Sequence, residues 1–345
     1  MSMSKFSRRP QMTGALSSGV VGSLLLIATA QAEPTASNGY QIQRSAAADG
    51  TSSVSILHDG NEVAVYRTLS VSKPVVWPLR SRSGIALTRS YPVGPPLDGE
   101  ADDHVHHRSL WIGHGSVNGT DFWSEVAGHG TQRHIRFSEL SADAQDATIA
   151  TENDWLNPQG KRLLVDRRRY RFHDDPLGAA IDCDFSLLAS DGPVVFGDTK
   201  EGTFALRVAG ALDVDRGLGG RILNAEGQTD AQAWGQASPW VDYYGTVNGQ
   251  PVGILVMVHP TIPIDDTRWH VRTYGLFAHN PFGRHEFEGV EQPGSGFRLA
   301  HGQTLALHYR VVLHEGHPTA EQLQQAFERY AAPPDHDLKP PPSAP

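Results

Sequence analysis

The feature that most constrains this chain is a short-range alternation of apolar and polar residues, interrupted again and again by glycine and proline. Val54-Ser55-Ile56-Leu57 and Glu62-Val63-Ala64-Val65-Tyr66 flank His58-Asp59-Gly60-Asn61, the pattern of a β-hairpin. Arg167 to Phe172 and Ile181 to Leu188 alternate on either side of Asp174-Asp175-Pro176-Leu177-Gly178. Thr203 to Val208, Val252 to Val258, Trp269 to Phe277 and Thr304 to Leu313 continue the pattern, and 35 Gly and 23 Pro supply the turns. One helix is readable. Thr319-Ala320-Glu321-Gln322 forms a capping box, after which Leu323, Phe327 and Tyr330 share a face. The pattern predicts an all-β fold, a large antiparallel β-sandwich with a short C-terminal helix.

The two ends read differently. Lys5, Arg8 and Arg9 precede the apolar run from Gly19 to Ala28, and Ala30-Gln31-Ala32 resembles a cleavage site. Residues 1–32 are therefore expected to be a signal peptide, and Ser7-Arg8-Arg9 suggests the twin-arginine route. The run is shorter than the roughly 20 apolar residues that a membrane anchor needs. A single β-sandwich domain is expected over 33–331, and a Pro-rich disordered tail over 332–345. The formal charge of −9 becomes about −12 once Lys5, Arg8 and Arg9 leave with the signal, which argues against a nucleic-acid partner. Cys183 is the sole cysteine, so no intramolecular disulfide forms, and its alternating surroundings predict a buried position.

Histidines crowd one segment. His104, His106, His107, His114, His129 and His134 lie close together, around Asp102-Asp103-His104-Val105-His106-His107-Arg108-Ser109-Leu110-Trp111. In an extended conformation His104 and His106 share one face and could present two imidazoles to a divalent metal, with Glu125, His134 or His259 as a further ligand. The double-histidine cupin pattern fails, because Leu110 stands where that pattern has Glu. A second constellation is Trp269-His270-Val271-Arg272-Thr273-Tyr274, where a strand would place His270, Arg272 and Tyr274 on one face. An imidazole, a guanidinium and a phenol there could exchange protons and clamp a carboxylate. Trp111, Trp123, Trp234, Trp240 and Trp269 sit beside polar or Gly-rich stretches and offer faces for sugars. Phosphate-loop, nucleophile-elbow and HExxH motifs are absent.

The run His106-His107-Arg108-Ser109-Leu110-Trp111, with His114-Gly115, Val117-Asn118-Gly119, Asp121-Phe122-Trp123 and Glu125, resembles a family labelled methane-oxygenase-like (the PmoA family). Lys200-Glu201-Gly202, Trp240-Val241-Asp242, His259-Pro260, Trp269 to Leu276 and Asn280-Pro281-Phe282-Gly283 extend the resemblance from about Tyr40 to His314. It implies a β-supersandwich similar to galactose mutarotases and several polysaccharide lyases. It also implies a bacterial, often exported protein found alongside sugar-processing enzymes. No reaction follows from it.

These readings converge on a periplasmic or secreted enzyme that processes a carbohydrate or glycoside by hydrolysis, β-elimination or epimerisation. His107, His114, Glu125, His270 and Tyr274 are the expected catalytic residues. Arg108, Trp111, Asn118, Trp123, Glu201, Trp240, Asp242, Arg272 and Asn280 are expected to bind the small-molecule or oligosaccharide substrate. One alternative is a metal-dependent enzyme or oxygenase with His104, His106, His134 and His259 as ligands, and another is a non-catalytic sugar-binding module. No membrane anchor is expected.

Overall fold

The computed structural model describes residues 39–46, 51–97 and 99–332. The expected signal peptide, and the expected tail beyond Ala332, lie outside the described residues. Strands β1 (Tyr40–Ala46), β2 (Ser52–His58), β3 (Asn61–Ser70) and β4 (Lys73–Leu79) form a meander, and β5 (Leu110–His114) follows a long connection. Four long strands come next: β6 (Thr131–Ala142), β7 (Asp146–Leu156), β8 (Arg162–Asp175) and β9 (Gly178–Leu188). The remainder comprises β10 (Val194–Phe196), β11 (Gly202–Arg207), β12 (Arg221–Asn224), β13 (Trp240–Val247), β14 (Gln250–Val258), β15 (Arg268–Val271), β16 (Leu276–Asn280), β17 (Phe297–Leu299) and β18 (Thr304–Glu315). Two helices are α1 (His285–Glu288) and α2 (Ala320–Ala331).

The strands build two eight-stranded antiparallel sheets, β1-β2-β3-β4-β5-β11-β16-β15 and β12-β13-β14-β18-β9-β8-β7-β6. This is the expected large antiparallel β-sandwich with a short C-terminal helix. The hairpin at His58 to Asn61 forms, with Asp59 and Gly60 both at positive φ. Cys183 is buried in β9. The capping box of α2 forms in both directions, Thr319 Oγ1 accepting from Gln322 N and Gln322 Oε1 accepting from Thr319 N. Leu323 and Ala326 then pack on Trp240, Leu255, Met257 and Val312. No helix among the described residues is long and apolar enough to cross a membrane.

Two expected strands are corrected. The segment Trp269 to Phe277 is two strands, because Arg272 to Gly275 turns, with Gly275 N donating to Arg272 O. The segment around His104 is not extended. His104 sits at φ 42°, and His107 N donates to His104 O across a turn, so the strand begins only at Leu110.

Alternation divides each strand of the first sheet between two faces. Leu110, Ile112, Phe204, Leu206 and Phe277 join the main core between the sheets. Val75, Trp111, Ala205, Leu276 and Ala278 form a separate cluster with Trp123 on the opposite, outer face. Register carries the rule sideways: His270 is paired with Ala278, so it too faces outward.

The core is not wholly apolar. Arg168, on β8, clamps Asp166 with Nε at 2.9 Å and Nη2 at 2.6 Å. Both side chains are fully buried. Asn153 Nδ2 and Trp155 Nε1 donate to the same carboxylate, and Gln132 Oε1 accepts from Arg168 at 2.6 Å. Gln132 Nε2 donates to Ile112 O on β5, and Arg168 Nη1 reaches Pro74 O on β4. The network thus crosses from the second sheet to two of the strands that carry the outer-face cluster.

Removing one partner strands a buried charge, which typically costs about 3–5 kcal/mol. Arg168→Met is expected to lose stability on that scale in urea unfolding, and Arg168→Met/Asp166→Leu to recover part of it. A loss below about 1 kcal/mol, the scale of an exposed ion pair, would show the pair to be dispensable.

Candidate active site

On the outer face of the first sheet the chain gathers two ion clusters around three histidines. In the first, Glu125 accepts from Arg108 Nε at 2.9 Å and Nη2 at 2.6 Å, and from Ser72 Oγ at 2.6 Å. Lys73 Nζ lies 3.5 Å from the same carboxylate and donates to Trp123 O at 3.2 Å. Burial alone would raise Glu125, but Arg108 and Lys73 hold it below the usual carboxylate range. Burial, reinforced by Arg108, brings the Lys73 ammonium down to about 8 against the pull of Glu125. The oxygens of Glu125, one of the expected catalytic residues, are occupied by a guanidinium, a hydroxyl and an ammonium.

In the second cluster Asp103 Oδ1 accepts from Arg89 Nη1 at 2.6 Å and from Arg207 Nη2 at 2.9 Å. Its other oxygen lies 2.7 Å from His104 Nδ1. Arg89, itself buried, also donates to Tyr91 O, Ala101 O, His104 O and His107 O. One guanidinium therefore sets the course of the whole histidine-bearing loop. Asp103 is partly buried, yet Arg207, His104 and Arg89 hold its carboxyl low.

His107 is buried, and Arg207 Nη1 donates to its Nδ1 at 3.0 Å. A guanidinium can only donate, so Nδ1 must accept. His107 is therefore a neutral imidazole carrying its hydrogen on Nε2. Burial and the surrounding cations push its pKa well below the ordinary value. His106, half-buried, is brought down to about 4 by burial, with Lys73 and His104 adding to the effect. His104 is 40 % exposed. With Nδ1 turned to Asp103, its Nε2 makes no hydrogen bond among the described residues.

The rings stack. His104 lies 4.8 Å from His107 and 4.9 Å from Tyr274, nearly parallel to both, and His107 lies 5.5 Å from Trp111. Trp111 and Trp123, 5.2 Å apart, form an apolar floor. Arg272 lies 5.5 Å from the Tyr274 ring and 5.6 Å from Trp234. Burial raises the Tyr274 phenol, with Glu201 and Asp103 adding to the rise. At the rim, Lys200 Nζ contacts Glu201 at 3.1 Å and Glu286 at 2.6 Å. A pocket of about 430 Å³ opens beside Glu125, between Val126 to Thr131 and Leu156 to Gly160, and His104, His106 and His107 do not line it.

Several expected site residues lie elsewhere. His114 points into the core, its Nε2 on Gly197 O at 2.7 Å and its Nδ1 on Thr203 Oγ1 at 3.2 Å. Gly202 packs so tightly there that a Cβ would sit 2.3 Å from His114 Nδ1. Both nitrogens of His114 are thus engaged within the protein. His270 faces outward but is sealed beneath Phe287 and held at about 3 by burial, Arg272 and Lys200. Asn118 pins a turn to Pro193 O and Val195 N. Asn280 ties Thr199 O, Phe282 N and Gly283 N. Trp240 donates to Gln324 of α2, and Asp242 pairs with buried His314 at 2.9 Å, both on the second sheet. Trp269 belongs to the core.

The expected metal ligands do not converge. His104 and His106 are neighbours, but His134 packs on Phe137 and Tyr66, and His259 bonds Thr261 and packs on Tyr330. Among the described residues no group of three such ligands forms. Asp103, Arg89, Lys73 and Arg207 were missed by sequence reasoning. The available signal was a charge at an outward position of an otherwise apolar strand, Lys73 in Lys73–Leu79 and Arg207 in Gly202–Arg207.

A family model matches residues 53–328. The chain belongs to DUF6807, a family of unknown function. This corrects the resemblance to the PmoA-labelled family, which that match does not support. No match emerges among curated proteins. Among solved structures, this DUF6807 chain is similar to galactose 1-epimerase from Lactobacillus acidophilus NCFM, at 9 % identity and TM-score 0.38, over 81 % of this chain and 100 % of that one. It is also similar to the heparan sulfate lyase HepC mutant from Pedobacter heparinus (10 %, TM-score 0.31, 82 % and 36 % of the two chains). A family 97 glycoside hydrolase from Pseudoalteromonas sp. strain K8 matches at 14 % and TM-score 0.31, over 81 % and 34 %. The chain spans about a third of the length of the last two. Similarity this distant assigns neither a reaction nor a substrate.

The buried imidazoles set a pH limit on the fold. His106, His114 and His134 are held at about 4, and His270 and His279 at about 3, in each case chiefly by burial. The unfolded chain takes up these protons near 6.5, so it binds more protons than the native state in between. The stability they confer is present above about 6.5 and is lost as pH falls through about 4, on the order of 3 kcal/mol for each fully buried imidazole. Melting temperature is expected to fall steeply across that window, and His279→Leu to flatten the fall. A flat profile from pH 6.5 to 4 in the wild type would contradict the assignment.

Proposed function

We propose that this DUF6807 protein is a periplasmic carbohydrate-processing enzyme that moves a proton at a sugar carbon, with His104 as general base and His107 as a neutral hydrogen-bond donor. The observation that carries the reading is the pairing of two differently wired imidazoles 4.8 Å apart. Asp103 orients His104 through Nδ1 and leaves Nε2 free to accept a proton. Arg207 occupies Nδ1 of His107 and leaves Nε2–H to donate.

His104 Nε2 takes the proton from a C–H beside a carbonyl or carboxyl carbon. The C–H electron pair moves into that group, whose oxygen gains negative charge and accepts from His107 Nε2–H or the Tyr274 hydroxyl. The His104 imidazolium, stabilised by Asp103, then has two outlets. It returns a proton to the other face of the carbon through solvent, which is epimerisation. Alternatively, the electron pair forms a C=C bond as the β-substituent departs and takes up a proton, which is elimination. Hydrolysis by paired carboxylates fits less well, because Glu125 and Asp103 are both held ionised in salt bridges.

Both outlets leak the substrate C–H into solvent. Incubation with oxidised glycosides and uronides in D₂O, followed by NMR, is expected to show loss of one C–H signal or the appearance of an unsaturated product. His104→Ala should slow this by about 10²–10⁴-fold, the usual scale of a general base. His107→Gln should lower turnover at unchanged folding. Exchange that survives His104→Ala would remove the assignment.

A further inference from the structure

On the proton-transfer reading above, we infer that the substrate is an acidic sugar whose carboxylate sits on Arg272. Arg272 is half-buried, yet among the described residues its side chain makes no ion pair and no hydrogen bond; its recorded partners are the rings of Trp234 and Tyr274. Aromatic faces restrain a guanidinium and leave its in-plane N–H donors unused, in the fork geometry that matches a carboxylate.

The charge around it points the same way. Lys73 and Arg108 share Glu125, and Arg89 and Arg207 share Asp103. Each cluster carries two cations for one carboxylate, and Arg272 adds a cation with none. Lys200, also nearby, faces two carboxylates, Glu201 and Glu286, so that trio carries one negative charge in excess. The next carboxylates outward turn their oxygens to backbone N–H groups: Asp121 to Trp123 and Ser124, Glu100 to Ser90 and Tyr91, Asp213 to Asp215. The excess of cations is confined to the two inner clusters and Arg272, the placement that draws an anion to that face.

Distance makes the anion useful. The Tyr274 ring lies 5.5 Å from the Arg272 guanidinium and stacks on His104 at 4.9 Å. A carboxylate on Arg272 therefore shares Tyr274 as a neighbour with the base, and the carbon that it acidifies is the one next to it.

Two matched probe pairs test the inference by titration calorimetry: methyl β-D-glucuronide against methyl β-D-glucoside, and methyl α-D-galacturonide against methyl α-D-galactoside. Members of a pair differ only in a carboxylate for a hydroxymethyl group. At least one uronide is expected to bind tenfold or more tightly than its neutral partner, and the preference should shrink with added salt. Arg272→Gln should abolish the preference. If that variant misfolds, Arg272→Lys, which keeps charge but not the fork, should weaken it severalfold. Equal or absent binding within both pairs, or an unchanged preference in Arg272→Gln that melts like wild type, overturns the inference. The outcomes separate from those of the proton-transfer reading. Preference lost with His104-dependent exchange on a neutral oxidised glycoside defeats the carboxylate seat alone. Preference kept in wild type and in His104→Ala, with no C–H exchange on any sugar, supports the seat and defeats the reaction.

Discussion

The salt bridge between Arg168 and Asp166 is the constraint on which the rest of the molecule rests. A buried ion pair contributes little net stability unless its remaining valences are met. Here Asn153, Trp155 and Gln132 meet most of them. The network then reaches out of the second sheet to Ile112 O and Pro74 O in the first. A sandwich held only by apolar contact can slide by a fraction of a residue at modest cost. This one is indexed by directional bonds, and the indexed strands are those that carry Lys73 and Trp111.

Above that frame, the site is a set of decisions about where protons rest. Burial pushes imidazoles neutral, and paired cations reinforce it at His106 and His107. Each carboxylate near them is tied to arginines that hold it ionised. The outcome is a face rich in cations and neutral nitrogen bases, with proton traffic restricted to the groups that still reach solvent. His104 differs from its neighbours in that respect, because it combines exposure with a carboxylate behind it.

Much of the fold was legible because alternation is a local property. Strand by strand, the period of two marks which side chains turn inward, and the capping box at Thr319 marks the helix. The site was legible only as a neighbourhood. His104, His106 and His107 do cluster, but not as ligands presented by a strand. Arg89, Asp103 and the left-handed backbone at His104 bend the segment into a turn, and those ties join residues far apart in sequence. His114, Asn280 and Trp240 show the same limit from the other side. Nothing in their local sequence separates a histidine that holds two strands together from one that meets a substrate. Lys73 and Arg207 could have been noticed as charges on apolar strands, although whether such a charge faces a site or a partner is decided by the other sheet strands.

The order of strands in the first sheet has a consequence for how the candidate site is assembled. β5 pairs with β11, whose residues lie roughly ninety positions later, and β11 pairs with β16, later by a further seventy or so. Arg207 meets Asp103 and His107 through the first pairing, and Tyr274 meets His104 through the second. Loop closures of that length are late events in folding. The meander of β1 to β4 and the hairpins of β6 to β9 can form from nearby sequence, and of the charged groups in the two ion clusters they contribute only Lys73, on β4. The stack of rings is therefore completed by the last long-range contact, and a chain interrupted before β16 lacks the pairing that brings Tyr274 to His104.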